Sequence, residues 1–277
     1  MTMNTSEKHR HDVLRFFCCT LGFSWLLWIP LAIAQVPVRT QPWLLLMELG
    51  GVAPSLIGII FILRTSAYNG QTVKASFFSF RQIGIRNAGL SITLIVLAFS
   101  LGLLFDFLLF GNIPNIKGLS LWVRTPSAFL ITMFSFLYSG PLTEEIGWRG
   151  FAAKMMMNRY GYLLTGVLLG AIWSIWHYPL FFLNGQYHIA NYYVHIPTHL
   201  VYHMALTLLM VYFLIETNGS VLLAIILHMI SNIMANAVFP RTFHSFFLQT
   251  LVLCSISLGL ILTRRNRALP KPIHIVA

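Results

Sequence analysis

Among 277 residues only seven are Asp or Glu, and two of those are neighbours, Glu144 and Glu145. They fall in an otherwise apolar stretch, where an ionisable group is costly and by default functional. Arg149 follows Glu145 by four residues, the favourable order for an ion pair along a helix. That pairing would hold Glu145 ionised and oriented, and leave Glu144 on a different face, free for chemistry. Further along lie His177 and then His228 and Asn232, the last two one helical turn apart and so on one face. Two carboxylates, two imidazoles and an amide are suited to hydrolysing an acyl bond. One group takes a proton from water, and others donate hydrogen bonds to the oxyanion that forms.

These groups must be positioned by helices in lipid. The chain is 57% hydrophobic and 9% charged, against about a quarter charged in a soluble domain. A helix needs roughly 20 apolar residues to cross the hydrocarbon core. Such stretches fall at about 16–34, 43–63, 89–111, 126–145, 161–182, 197–216, 219–239 and 243–263. The expectation is an all-α polytopic membrane protein of about eight transmembrane helices. Residues 1–277 form a single membrane-embedded domain, with tails at 1–15 and 264–277. Ser139-Gly140-Pro141 reads as a break within the fourth span, because proline suits a first helical turn and acids suit its positive end. Backbone freed at that depth is tolerated only where it lines a protein or water cavity. The turn of the following hairpin is placed at Asn158-Arg159-Tyr160-Gly161. Glu144 and His177 then lie about 16 residues to either side of it, roughly 24 Å along each helix. Lys154 and Arg159 suggest that the base of this hairpin reaches the cytosol.

The net charge of +11 does not point to nucleic acid, because the charges are sorted by loop. With the N-terminus inside, fourteen of the eighteen Lys and Arg fall on one side and four on the other. The positive-inside rule then puts both termini in the cytoplasm of a multi-pass cell-membrane protein, with lipids as the first partners. The stretch 64–88 interleaves Phe77, Phe78, Phe80, Ile83 and Ile85 with Lys74, Arg81 and Arg86, as in a segment on the inner membrane face or an ordinary basic loop. Cys18, Cys19 and Cys254 read as packing residues, with no CxxC. His195, His199 and His203 recur every fourth residue. That stripe is read as a polar, partly wet helix face, with a transition-metal site as the alternative. Asp106, inside the third span, has no evident role in hydrolysis.

Three motifs carry a family resemblance. Glu144-Glu145-Ile146-Gly147-Trp148-Arg149 fits EExxxR, Trp173-Ser174-Ile175-Trp176-His177 resembles FxxxH, and His228-Met229-Ile230-Ser231-Asn232 fits HxxxN. In order and approximate spacing, across about 139–232, they resemble the CPBP family, the CAAX proteases and bacteriocin-processing enzymes also called Abi. The departure is Trp173, which keeps an aromatic wall beside His177. The resemblance implies an intramembrane endopeptidase whose first glutamate is catalytic, acting on a lipidated or membrane-associated peptide.

Reasoned from the groups, Glu144 takes the proton from water, His177 helps hold that water, and His228 and Asn232 donate to the oxyanion. Glu145 and Arg149 support them, with Trp173 as a wall. Trp173, Trp176, Phe181 and Phe182 would suit a lipid-bearing substrate. A metal-free mechanism needs fewer assumptions, since HExxH is missing. A zinc ion on Glu144, His177 and His228 stays open, as the resemblance allows either. Two other classes remain: a proton- or ion-coupled transporter relaying through Glu144, Asp106 and the histidines, and a non-catalytic bacteriocin-immunity or scaffold protein.

Overall fold

A computed structural model describes residues 5–65, 77, 80–114, 125–186, 192–237 and 242–265, with side chains left out for 5–10 and 264–265. Among the described residues the regular structure is entirely helical. The long helices are α1 (Thr5–Ala34), α2 (Trp43–Arg64), α3 (Ile85–Phe110), α4 (Pro126–Leu137), α5 (Lys154–Trp176), α6 (Tyr192–Glu216), α7 (Val221–Ala237) and α8 (Phe243–Arg265). Helix α1 begins at Thr5, so the polar stretch before residue 16 continues the first helix.

The protein is an all-α, multi-pass membrane protein, but its spans are partitioned differently from the eight expected. Among the described residues, six helical stretches are long and apolar enough to cross a bilayer. One of them, Pro126–Phe182, is 57 residues long and contains both the fourth and fifth expected spans. Within it the chain turns at Gly161, where φ is +68° and ψ −176°, a conformation that favours glycine. The seventh expected span is the shorter apolar helix Val221–Asn236. Its polar residues His228 and Asn232 turn inward, toward the site.

Helix α6 is the central post: 72% of its apolar window is buried in protein, against 28% for the windows of α1, α3 and α8. Lipid gives helices no hydrophobic reason to associate, so packing and interhelical hydrogen bonds hold the bundle. Trp176 Nε1 donates to Ser24 Oγ at 2.7 Å, and Ser24 Oγ donates to the carbonyl of Gly50 at 2.7 Å. Trp28 packs against Trp176, the rings tilted by 55° with centroids 4.9 Å apart, and donates from Nε1 to the Met47 carbonyl at 2.9 Å. These contacts tie α1, α2 and the end of α5 together beside the site. Across the bundle, Tyr202 on α6 shares a hydrogen bond with Ser231 on α7, and Ser257 on α8 donates to the carbonyl of Ala205.

Three expectations about charges are resolved by these contacts. Asp106 accepts from Asn112 Nδ2 at 2.9 Å and from Thr242 Oγ1 at 2.8 Å. Thr242 in turn caps α8 by accepting from the Ser245 amide at 2.9 Å. Asp106 thus ties the end of α3 to the start of α8, and the argument it lent to a transport relay falls away. Lys154 does not mark the cytosol. It is buried at 2% exposure, with Nζ 4.4 Å from the Phe77 ring centroid, whereas Arg159 is exposed. Arg149 is fully buried as well. Without these two the basic residues still divide twelve to four. Of the stretch 64–88, Lys74 and Phe78 lie outside the described residues. Phe80 and Ile85 are exposed at 75% and 95%, which leaves their apolar side chains outside the protein core.

Candidate active site

The chain breaks where Gly140-Pro141 implies. Ser139 has ψ +80°, and Gly140 takes φ +119° and ψ −73°. Tyr138–Leu142 is the kink itself, followed by a single α-turn at Thr143–Glu145 and a π-helical segment at Ile146–Ala153. Widened turns of this kind occur frequently at functional sites. They let Glu144 and Glu145, adjacent in sequence, reach different partners. Ser55 on α2 donates to the carbonyl of Leu142 at 2.9 Å, and Thr143 Oγ1 accepts from the amide of Gly140 at 3.2 Å. These bonds satisfy backbone groups that the break would otherwise leave bare at membrane depth.

Glu145 is fully buried, and its Oε1 accepts from Arg149 Nη1 at 2.9 Å and from His228 Nδ1 at 2.8 Å. Arg149 also donates through Nη2 to Thr207 Oγ1 at 3.0 Å, and lies 4.2 Å from the Trp173 ring centroid. The expected Glu145–Arg149 pair is present, and it extends to α6 and to the histidine on α7. With Nδ1 committed to Glu145, the other ring nitrogen of His228 faces the break.

Glu144 is 6% exposed, and its Oε2 accepts from Trp173 Nε1 at 2.6 Å. His177 joins through the same residue: its Nδ1 donates to the Trp173 carbonyl at 2.8 Å, which leaves Nε2 as the ring's acceptor.

The atoms with chemistry to do converge at Gly140. A carbon built at its Cβ position would lie 3.1 Å from His228 Nε2, 3.2 Å from Asn232 Nδ2 and 3.3 Å from Glu144 Oε1. Glycine keeps that point clear, and its positive φ is one that side chains rarely adopt. An oxygen placed there would be in reach of a carboxylate, an imidazole and an amide at once. The Gly-Pro break was legible in the sequence; that it makes a cradle was not.

The histidine stripe on α6 divides. His195 turns toward α8, its ring 5.0 Å from that of Phe243. His199 and His203 are buried and face His177, contrary to the expected wet interface. The open zinc alternative of the sequence used Glu144, His177 and His228. Among the described residues, the ligand atoms that come within 4.8 Å of one another are instead those of His177, His199 and His203. Of the expected apolar walls, Trp173 and Trp176 are interior, each 1% exposed. Phe182 lines an apolar groove of about 420 Å³, between Trp25, Ile29 and Ile33 of α1 and the 3-10 turn Tyr178–Phe182 that follows His177.

Residues 126–234, which include every residue named in the three motifs, match the family model described as "Type II CAAX prenyl endopeptidase Rce1-like". The chain is also 23% identical over 235 residues to the "CAAX prenyl protease 2" of Methanococcus maripaludis, covering 82% of this chain and 85% of that protein. Both comparisons bear out the resemblance that the motifs carry, and it is a resemblance to the CPBP family of membrane-embedded CAAX proteases.

Proposed function

We propose that the protein is an intramembrane endopeptidase in which Glu144 activates water for attack on a peptide carbonyl. The observation that carries this reading is the convergence of Glu144 Oε1, His228 Nε2 and Asn232 Nδ2 on one clear point at Gly140. A carboxylate withdrawn from water is a stronger base toward a bound water. Trp173 Nε1 fixes Oε2 of this carboxylate, so Oε1 is the oxygen turned to the cradle. His177, held by the Trp173 carbonyl, offers Nε2 to the same water.

The oxyanion falls to His228 and Asn232. When both ring nitrogens of His228 carry protons, Nδ1–H is held by Glu145 and Nε2–H is free to donate. Donors fixed before the reaction need no reorganisation when charge develops on the carbonyl oxygen. The proton taken by Glu144 then passes to the leaving amine. None of these steps requires a metal.

The substrate class we infer is a prenylated CAAX-type peptide, as the names of the matched family and the archaeal relative suggest. The groove beside Phe182 is apolar and begins one residue after His177, which suits a lipid chain attached near the scissile bond. Both termini would face the cytoplasm, where the basic loops gather.

The test is hydrolysis of a synthetic prenylated CAAX peptide by the full chain in detergent or liposomes, with products identified by mass. The unprenylated peptide and a bacteriocin-like peptide serve as comparisons. Glu144→Gln should remove activity by about 10²–10⁴-fold, the usual contribution of a general base, with the elution profile and helix content unchanged. A Glu144→Gln protein as active as the parent would overturn the assignment.

A further inference from the structure

We propose that His177, His199 and His203 form a binding site for one divalent transition-metal ion of the zinc class. His177 ends α5, while His199 and His203 sit one turn apart on α6, so two helices converge to present three imidazoles. One ligand atom from each lies within 4.8 Å of the others. All three residues are at most 9% exposed.

The hydrogen bonds around the rings select the ligand atoms. His177 Nδ1 donates to the Trp173 carbonyl at 2.8 Å, and His203 Nδ1 donates to the His199 carbonyl at 2.9 Å. Both bonds fix the tautomer with the lone pair on Nε2. His199 Nδ1 is paired with Ser174 Oγ at 2.8 Å, and with the hydroxyl as acceptor its Nε2 is likewise the ligand. Metal-bound histidines almost always have the remote nitrogen held in this way. Imidazole suits zinc, copper, nickel and iron, whereas magnesium and calcium require oxygen ligands. Three histidines and one open position form a complete ligand set for a tetrahedral ion. Nitrogens about 2.1 Å from such an ion are about 3.4 Å apart, so the widest pair must close by at most about 1.4 Å.

The site shares only His177 with the proposed hydrolysis, and Trp173 links the two, its indole N–H on Glu144 and its ring 4.4 Å from that of His203. An ion bound to the triad would hold His177 by the same nitrogen that the proposed hydrolysis offers to water. Binding itself does not depend on the peptidase reading.

The experiment uses the full chain, purified in detergent on an affinity tag without histidines, stripped with chelator and titrated with Zn²⁺ and with Co²⁺. Bound metal is counted after desalting, and Co²⁺ geometry is read from its visible absorption. The expected result is one equivalent per chain with a tetrahedral Co²⁺ spectrum, and at least a tenfold loss of affinity in both His199→Gln and His203→Gln. Glu144→Gln and His228→Gln should bind as the parent does. Zn²⁺ should also raise the unfolding temperature of the parent but not of the two α6 variants, which separates lost binding from lost folding. A parent that retains no metal overturns the proposal, as does binding that survives both α6 substitutions. Equal loss in Glu144→Gln or His228→Gln would place the ion in the cradle and also overturn it.

Discussion

The indole N–H of Trp173 donates to Oε2 of Glu144 at 2.6 Å, so the aromatic residue of the FxxxH-like motif is also the hydrogen-bond partner of the first glutamate. The sequence presents Trp173 only as a wall, in a position where the family pattern has phenylalanine. Here the larger ring adds a donor that phenylalanine lacks, and it fixes which carboxylate oxygen faces the cradle. Trp173→Phe keeps the aromatic surface beneath Arg149, His203 and His228 but removes that donor. Hydrogen bonds to charged groups contribute about 1.5–3 kcal/mol, so kcat on the prenylated peptide should fall about tenfold to a hundredfold with KM little changed. Trp173→Ala should cost far more, because the ring on which three site residues rest is then gone. Steady-state kinetics on the two variants distinguishes a donor from a wall.

Gly140→Ala should abolish activity while leaving an assembled protein. The added methyl occupies the point where Glu144, His228 and Asn232 meet, at a φ of +119° that favours glycine. Strain of this kind costs about 1–3 kcal/mol. Gly161→Ala is the control, since φ is +68° there but nothing lies within 4 Å of the new carbon. It should lower thermal stability to a similar degree and retain most of the activity. Equal activity in the two variants would show that the cradle is not where the reaction happens.

Arg149 is bound too specifically for lysine to replace it. Its two terminal nitrogens reach Glu145 and Thr207, and its guanidinium carbon lies over the Trp173 ring. Arg149→Met leaves the buried Glu145 without its arginine partner, with the hydrogen bond from His228 remaining. Removing one member of a buried pair typically costs about 3–5 kcal/mol, which should appear as a large drop in unfolding temperature. The double change Glu145→Gln with Arg149→Met should recover much of that stability but not the activity, because the charge beneath His228 is then missing. Thermal unfolding of the three proteins side by side provides the cycle.

If the groove beside Phe182 holds the lipid chain, Ile29→Trp should fill it from the α1 side. The expected effect is KM for the prenylated peptide raised about tenfold, the equivalent of about 1.4 kcal/mol of lost binding, with kcat unchanged. Cleavage of an unprenylated peptide should be unaffected. An Ile29→Trp protein with unaltered KM would move the lipid chain elsewhere.

Much of this protein could be read along the chain, because local chemistry dictates it. Apolar runs of membrane-crossing length can only be helices in lipid, since every backbone group there needs an internal partner. Gly140-Pro141 marks the break and Gly161 the hairpin turn, because each needs a backbone that few other residues allow. The i, i+4 spacing of Glu145 with Arg149, and of His228 with Asn232, places each pair on one helix face.

Tertiary structure decided what those faces meet. Sequence spacing has no term for contacts such as Trp173 with Glu144, His228 with Glu145, or Arg149 with Thr207 on α6, each of which joins separate helices. The same holds for burial: Lys154 read as a charge at the membrane edge, and His199 and His203 as a wet stripe, until packing enclosed them. Whether a polar side chain in a helix is solvated, paired or gathered into a site depends on its orientation in the bundle. That orientation is set by all the neighbouring helices together, through close packing that no single stretch of sequence contains.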